Sequence, residues 1–128
     1  MNPEAVGQKT HKNLDLWNRA MDLAVEVYSI TSQFPKEELF GLVSQTRRAA
    51  VSVPSNIAEG AARNSRKEYI RFLYVALGSI AELETQLLLA ARLKFVPRIE
   101  ASDRVEQVRQ LILGLLRFLK RTSLAHHA

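Results

Sequence analysis

Apolar residues recur along this chain three and four positions apart, the period that lines one face of an α-helix. The first such stripe ends at Phe34-Pro35, because the residue before a proline is displaced from the α conformation. Its members are Leu16, Ala20, Leu23, Val27, Ile30 and Phe34. The pattern predicts a first helix over Asp15 to Gln33.

The second stripe begins after Glu37 and Glu38, whose carboxylates complement the positive end of a helix dipole. It continues to about Ala62 with Pro54 in its middle. Because this proline removes the hydrogen bond to the Ala50 carbonyl, the sequence predicts a kink there. The stripe consists of Leu39, Leu42, Val43, Thr46, Ala50, Val53 and Ile57.

Two further helices complete the pattern. Ser65-Arg66-Lys67-Glu68 has the form of a capping box, which predicts a third helix from that point to about Leu93. Val96-Pro97 ends it, and a fourth helix is expected from roughly Arg98 to Arg121. Their apolar positions are Tyr69, Phe72, Leu73, Ala76, Ile80, Leu83, Leu87 and Ala90, then Val105, Val108, Ile112, Leu115 and Leu119.

Four helices joined by short connections favour an all-α, antiparallel up-down-up-down four-helix bundle. We expect one bundle domain over residues 14–121, with flexible tails at 1–13 and 122–128. Small residues, among them Gly60 and Gly78, are expected to let the second and third helices pack closely, with a ligand groove as the alternative.

The amino-acid composition limits the kinds of site and the cellular compartment to be expected. The 128 residues include no cysteine, which excludes disulfides and thiolate metal sites, and we expect a cytoplasmic protein. The longest uncharged runs are about ten residues, 49–58 and 72–81, whereas a membrane span needs about twenty, so no membrane association is expected.

Catalytic chemistry finds little support in the sequence. Its three histidines, His11, His126 and His127, fall in the predicted tails, away from the helical carboxylates that a di-metal bundle site would pair with histidine. Ser52, Ser55, Asn56 and Glu59 surround Pro54, and we expect them to hydrogen-bond the helix backbone. The sequence therefore predicts no enzyme activity and no catalytic, metal or cofactor site.

Positive charge gathers in two segments of a chain whose formal net charge is +5. Either could contact phosphate, although interleaved glutamates also fit an ordinary solvated surface. The candidate nucleic-acid-binding residues are Arg47, Arg48, Arg63, Arg66, Lys67 and Arg71 in the second and third helices, and Arg109, Arg117, Lys120 and Arg121 in the fourth.

The first and fourth helices carry more apolar residues than one core requires. Surplus apolar faces favour self-association, the alternative being a wider core stripe. The candidate oligomer-interface residues are Trp17, Met21, Val25 and Tyr28, with Leu113, Leu116 and Phe118.

Several motifs between about Leu14 and Phe95 carry a family resemblance. They are Leu16-Trp17, the stretch Ser-Val-Pro-Ser-Asn-Ile-Ala-Glu-Gly over 52–60, and the segments 68–73 and 78–87. The chain resembles the bacterial four-helix bundle family encoded in intervening sequences of 23S ribosomal RNA genes. That resemblance implies a ring-like homopentamer without established enzymatic activity. The family is similar to accessory proteins of diversity-generating retroelements, which bind a reverse transcriptase and nucleic acid.

Two functional hypotheses follow. The first is a non-catalytic homo-oligomer that binds RNA or DNA backbone through basic surfaces, whose effect oligomerisation multiplies. The alternative is a protein-interaction scaffold that recognises a partner protein and no nucleic acid.

Overall fold

The computed structural model describes the backbone of residues 3–97 and 101–127 and the side chains of residues 14–97 and 101–121. Within these ranges the chain forms four α-helices and no strand: α1 Pro3–Thr31, α2 Ser44–Ala62, α3 Arg66–Arg92 and α4 Ser102–His127. The all-α prediction is confirmed. That the two tails are flexible remains a prediction. The backbone of the first tail lies in α1 from Pro3, and that of the second lies in α4 as far as His127. The side chains of His11, His126 and His127 lie outside the described part.

The predicted apolar stripes form one core, to which all four helices contribute. Three positions differ from the prediction, and the first is Phe72 of α3, which is half-buried. Leu39 is 50% exposed because it precedes α2, in a π-helical turn that spans Leu39–Val43. In α4 the buried residue is Leu116, at 2% exposure, while Leu115 is half-buried. The core stripe of α4 therefore steps through Val105, Val108, Ile112, Leu116 and Leu119.

The chain between α1 and α2 turns through the 3-10 segment Lys36–Glu38 and the π-helical turn. Gly41 has non-helical dihedrals, φ −110° and ψ −110°, and the Glu38 carboxylate accepts a hydrogen bond from the Leu42 backbone N–H at 3.2 Å. Pro54 lies inside α2, and the kink expected there stays a prediction. The departure from helical geometry that the structure shows is thus at Gly41.

Gly60 permits a close approach of α2 to α3. A Cβ atom at this position would lie 2.8 Å from Cβ of Phe72, closer than real Cβ contacts, and at a tight 3.0 Å from Cδ1 of Tyr69. Eight residues earlier in the chain, the hydroxyls of Ser52 and Ser79 share a hydrogen bond of 2.7 Å. The close helix packing predicted for the small residues is therefore present at Gly60, against Phe72 and Tyr69, but not at Gly78, where a Cβ would meet nothing within 4 Å.

Asn56 completes the polar part of this helix contact. Its side-chain amide donates to the Ser52 carbonyl at 2.8 Å and to the Ser52 hydroxyl at 2.9 Å. Of the four polar residues around Pro54, Asn56 hydrogen-bonds the helix backbone as expected, whereas the Ser52 hydroxyl joins α2 to α3 and Glu59 pairs with Arg63.

Candidate nucleic-acid interface

The first basic segment surrounds the start of α3. Ser65 caps this helix, since its hydroxyl accepts the Glu68 backbone N–H at 3.2 Å, as the capping motif predicts. The cap fixes the turn between α2 and α3, so that Arg63 at the end of α2 and Lys67 and Arg71 in the first turns of α3 come close together in space.

The half-buried ring of Phe72 organises two of these guanidinium groups. The Cζ atoms of Arg63 and Arg71 lie 5.1 Å and 4.5 Å from the ring centroid, within the range of cation–π contacts. Because the two cations flank one ring, they form a compact positive surface that sequence spacing alone does not reveal.

Each of these arginines also has an acidic neighbour. Arg63 pairs with Glu59 at 2.9 Å, and Nε of Arg71 donates to Glu68 at 2.7 Å. The hydrogen bond from Arg71 lowers the pKa of Glu68 below its ordinary value, and the same bond raises the pKa of Arg71. The pairs are solvent-exposed, so they orient the guanidinium groups while contributing little stability.

The last turns of α4 lie beside the same part of α3. The Lys120 ammonium donates a hydrogen bond to the Tyr74 hydroxyl and lies 4.7 Å from the centroid of its ring. Tyr74 is one helical turn beyond Arg71. The structure therefore brings Lys120, predicted as part of a separate cluster, close to the basic first turns of α3. Arg117 and Arg121 are exposed on α4 within one helical turn of Lys120.

The remaining predicted cations lie elsewhere. The guanidinium of Arg47 lies 4.5 Å from the Tyr28 ring centroid and donates to the Thr31 hydroxyl at 2.8 Å, where it joins α2 to the end of α1. Exposed Arg48 donates to the Ser44 hydroxyl at 3.3 Å on α2.

Arg109 is held between helices. It donates to Glu84 of α3 at 2.7 Å and also to Glu106 of its own helix. The bond to Glu84 raises the pKa of Arg109, whereas hydrogen bonds from Gln110 and then Arg109 lower the pKa of Glu106. Only 21% of the Arg109 side chain is exposed, so this residue contributes to helix packing more than to a phosphate surface.

The apolar residues predicted as an interface divide between separate surfaces. Met21, Val25 and Tyr28 are exposed and Trp17 is half-buried. Tyr28 lies beside α2, where the Arg47 guanidinium is 4.5 Å from its ring centroid. Phe118 instead lines a groove between α4 and the middle of α1, together with Leu111 and Leu115. Half-buried Leu113 is four residues after Arg109 and so lies toward α3. Leu116 is a core residue, as described above, because α4 turns it inward.

In the described residues, no three His, Cys, Asp or Glu side chains cluster as they would around a metal ion. By length and hydropathy alone α3 could span a membrane, with a mean hydropathy of 1.3 over 18 residues, and 39% of that window is buried. The core helix of a soluble protein passes the same test.

A family model described as 23S rRNA-intervening sequence protein matches residues 12–116. The chain belongs to this family. The resemblance seen in the sequence motifs is thereby confirmed, and it extends through most of α4. A search of curated proteins finds no match.

Among solved structures, this member of the family is similar to a protein of unknown function from the S23 ribosomal protein family of Bacteroides thetaiotaomicron. The two chains are 23% identical, and the match covers 83% of this chain and 98% of the other with a TM-score of 0.76. At that identity the similarity shows a shared fold.

Sequence reasoning missed one surface of this family member. Tyr74, Val75, Leu88 and Leu89 are 39–45% exposed on α3, a helix whose apolar residues were assigned to the core. The signal was present, because apolar residues occupy nearly the whole circumference of α3 between Phe72 and Ala81, more than a single buried face requires.

Proposed function

We propose that this protein is a non-catalytic, cytoplasmic homo-oligomer that binds the phosphate backbone of RNA or DNA through its basic surface. The observation that carries the proposal is the Lys120–Tyr74 contact, which places the end of α4 beside the start of α3. We define the basic surface as Arg63, Arg66, Lys67, Arg71, Arg117, Lys120 and Arg121.

An antiparallel up-down bundle is part of this proposal. Arg109 of α4 pairs with Glu84 of α3, and Lys120 pairs with Tyr74, so the residue numbers of the partners in α3 fall as those in α4 rise. Along α2, the partners of Ser52 and Gly60 in α3 are Ser79 and then Phe72, again in reverse. This arrangement would collect the end of α2, the start of α3 and the end of α4 at one end of the molecule.

The chemistry of the basic surface suits phosphate. Arginine and lysine release counterions when they neutralise phosphates, and this release supplies most sequence-independent affinity. Exposed Lys67, Arg117 and Arg121 can reach a ligand without breaking an interhelical contact. Self-association would repeat the surface and raise the local positive potential well above that of one chain.

Homo-oligomerisation is supported by exposed apolar side chains such as Val25, which is 68% exposed, and Tyr28, which is 45% exposed. Exposed apolar surface of this kind favours an interface. A pentamer is the specific form that the family resemblance suggests, and light scattering at micromolar concentration would test it. A monodisperse monomer would refute the oligomeric part of the proposal.

Backbone binding is tested by titrating structured RNA and duplex DNA across a salt series. The double variant Lys67→Glu/Arg121→Glu should weaken binding by about tenfold or more at low salt and flatten the salt dependence, because each lost phosphate contact removes about 0.9 from the log–log slope. The matched control Arg48→Glu/Arg92→Glu changes the net charge equally but lies outside the basic surface.

Three results would contradict backbone binding. They are no binding at low salt, binding that ignores salt, or an equal loss in both double variants. The last outcome would attribute the attraction to net charge alone rather than to the basic surface.

A protein-interaction scaffold is the second candidate, favoured by Phe40, which is 93% exposed beside half-exposed Leu39. An aromatic side chain so exposed is typical of an anchor for a partner protein. A nuclease-treated pull-down that recovers a defined partner with the natural chain but not with Phe40→Asp would favour this candidate. Loss of the partner on nuclease treatment would instead favour nucleic acid.

A further inference from the structure

One exposed side of α3 carries cations in its first turns and an aromatic ring directly after them. Four residues follow one another there at steps of three and four, which places them on the same side of the helix. All four are exposed, and we call them the α3 row: Lys67, Arg71, Tyr74 and Gly78. At 1.5 Å per residue, Tyr74 lies about 10 Å beyond Lys67 along the helix axis. One ligand can therefore contact both the cations and the ring.

The ring of Tyr74 is open to such a ligand. This residue is 45% exposed. The Lys120 ammonium donates a hydrogen bond to the Tyr74 hydroxyl and lies 4.7 Å from the ring centroid, so it sits beyond the hydroxyl end of the ring rather than above its centre. The contact holds a cation at the edge of the ring and leaves the faces of the ring clear of Lys120.

Phe72, two residues before Tyr74, offers no comparable surface. Its ring is half-buried, and the Cζ atoms of Arg63 and Arg71 lie 5.1 Å and 4.5 Å from its centroid. Its Cβ lies against Gly60 of α2. Phe72 therefore positions two guanidinium groups, whereas Tyr74 presents its ring to solvent.

Gly78 leaves space beside the Tyr74 ring. Helix side chains lean toward the N-terminus and residues four apart meet, so a side chain at position 78 would lie against Tyr74. A Cβ atom at Gly78 would meet nothing within 4 Å among the described residues. Glycine inside a helix is less favourable than alanine, and no close approach within the chain explains it here. A planar group stacked on Tyr74 would occupy this space.

We infer that the α3 row binds an unpaired nucleotide, whose base stacks on Tyr74 while the neighbouring cations neutralise its phosphates. The inference rests on the proposed function and names its ligand class, which is single-stranded nucleic acid. Exposed aromatic rings beside basic side chains are the means by which proteins bind single strands, because every base has a face that can stack. In a duplex the neighbouring base pairs cover those faces, so a base stacks on a side chain only when it is unpaired.

Two oligonucleotides of equal charge measure the contribution of the base. One is a strand of about 16 thymidines, and the other is the same strand with abasic residues throughout. Fluorescence anisotropy gives the affinity of each strand, and of a duplex of the same length, across a salt series. We expect the thymidine strand to bind about fivefold or more tightly than the abasic strand, which is the lower bound for stacking one base on an aromatic ring.

Variants of the α3 row locate the base. Tyr74→Leu should abolish the advantage of the thymidine strand and leave the affinities for the abasic strand and the duplex unchanged. Tyr74→Phe, which keeps the ring but loses the hydroxyl, should retain the advantage. Gly78→Leu should reduce it by filling the space beside the ring.

Tyr28→Leu is the matched control and should keep the full advantage. Tyr28 is also 45% exposed, and the Cζ atom of Arg47 lies 4.5 Å from its ring centroid. However, Arg47 is 16 residues before Arg63 on α2, about 24 Å along the helix, so this second tyrosine lies away from the basic surface.

The outcomes distinguish failure of this inference from failure of the proposed function. If neither the strands nor the duplex bind at low salt, the proposed function is wrong and the inference falls with it. If both strands bind equally, or if Tyr74→Leu or Gly78→Leu keeps the full advantage of the thymidine strand, backbone binding stands and the base site is wrong. An equal loss of that advantage in Tyr28→Leu would also overturn the base site.

Discussion

The inward face of α3 buries Leu73, Ile80 and Leu83 at 0% exposure, whereas its outward face leaves Tyr74 and Leu88 45% and 39% exposed. Both faces are apolar, and sequence periodicity detects both. They differ in what covers them: α2 and α4 pack on the inward face, whereas the contact reported for the outward face is that of the Lys120 side chain with Tyr74. An apolar helix face thus indicates burial in an assembly as readily as burial in a core.

Two glycines, Gly60 of α2 and Gly78 of α3, show the same difference at single positions. Gly60 of α2 meets Phe72 and Tyr69 so closely that a side chain would collide, while Gly78 of α3 meets nothing. One glycine is explained by contacts within the chain. The other carries the helix cost of glycine without such a contact in the described part of the chain.

The sharpest test of this contrast places a charge on each face. Leu83→Asp should destabilise the fold by about 4 kcal/mol or more, because it buries an unpaired carboxylate and leaves a cavity. Thermal unfolding followed by circular dichroism would show an unfolded or barely folded chain. Leu88→Asp, the matched outward variant, should keep the helical fold and weaken self-association. Equal loss of structure in the two variants would show that the faces are not distinct.

Replacing each glycine with alanine should give the next largest changes in the free energy of unfolding, and the two changes should have opposite signs. Gly60→Ala should destabilise by about 1–2 kcal/mol, because overpacking against Cβ of Phe72 outweighs the gain in helix propensity. Gly78→Ala should stabilise the single chain by about 1 kcal/mol, since its methyl group meets open space.

Urea denaturation at submicromolar concentration, where association contributes least, would measure the stabilities of both alanine variants. Destabilisation by Gly78→Ala under these conditions would contradict the open space at Gly78 and reveal a contact there within the chain.

The sequence predicted four helices, and it located their ends best where a local signal marked them. The start of α3 follows from the Ser65 cap, and the ends of α1 and α3 follow from Phe34-Pro35 and Val96-Pro97. Proline and capping effects act within one helical turn, so they are visible without tertiary structure. The turn at Leu39–Val43 had no such signal, and the stripe was continued through it.

The candidate interface was only partly predictable. Periodicity identifies basic segments, but it does not show which helices are neighbours, so the contact of Lys120 with Tyr74 needed the fold. The same limit applies to Arg109, which looked like a surface cation until Glu84 of α3 proved to be its partner. Leu116 differs from the prediction by a single position. Neighbouring residues on a helix are rotated by about 100°, which is enough to exchange a core position for a surface position.

The smallest expected effect concerns hydroxyl groups on the two faces of α3. The Ser79 hydroxyl is buried and shares its hydrogen bond with Ser52 of α2, whereas Thr85 is exposed and donates to the Ala81 carbonyl of its own helix at 2.8 Å. Ser79→Ala should cost about 0.5–1 kcal/mol, and Thr85→Ala should be neutral or slightly stabilising, because alanine is the better helix former.

A double-mutant cycle with Ser52→Ala separates the interhelical bond from these helix preferences. Chemical denaturation of the four variants in the Ser52–Ser79 cycle should give a coupling energy of about 1 kcal/mol, since the two hydroxyls contact each other. The parallel cycle of Ser52 with Thr85 should give none. Absence of coupling between Ser52 and Ser79 would mean that water replaces the partner at little cost, and that the inward face of α3 depends on apolar packing alone.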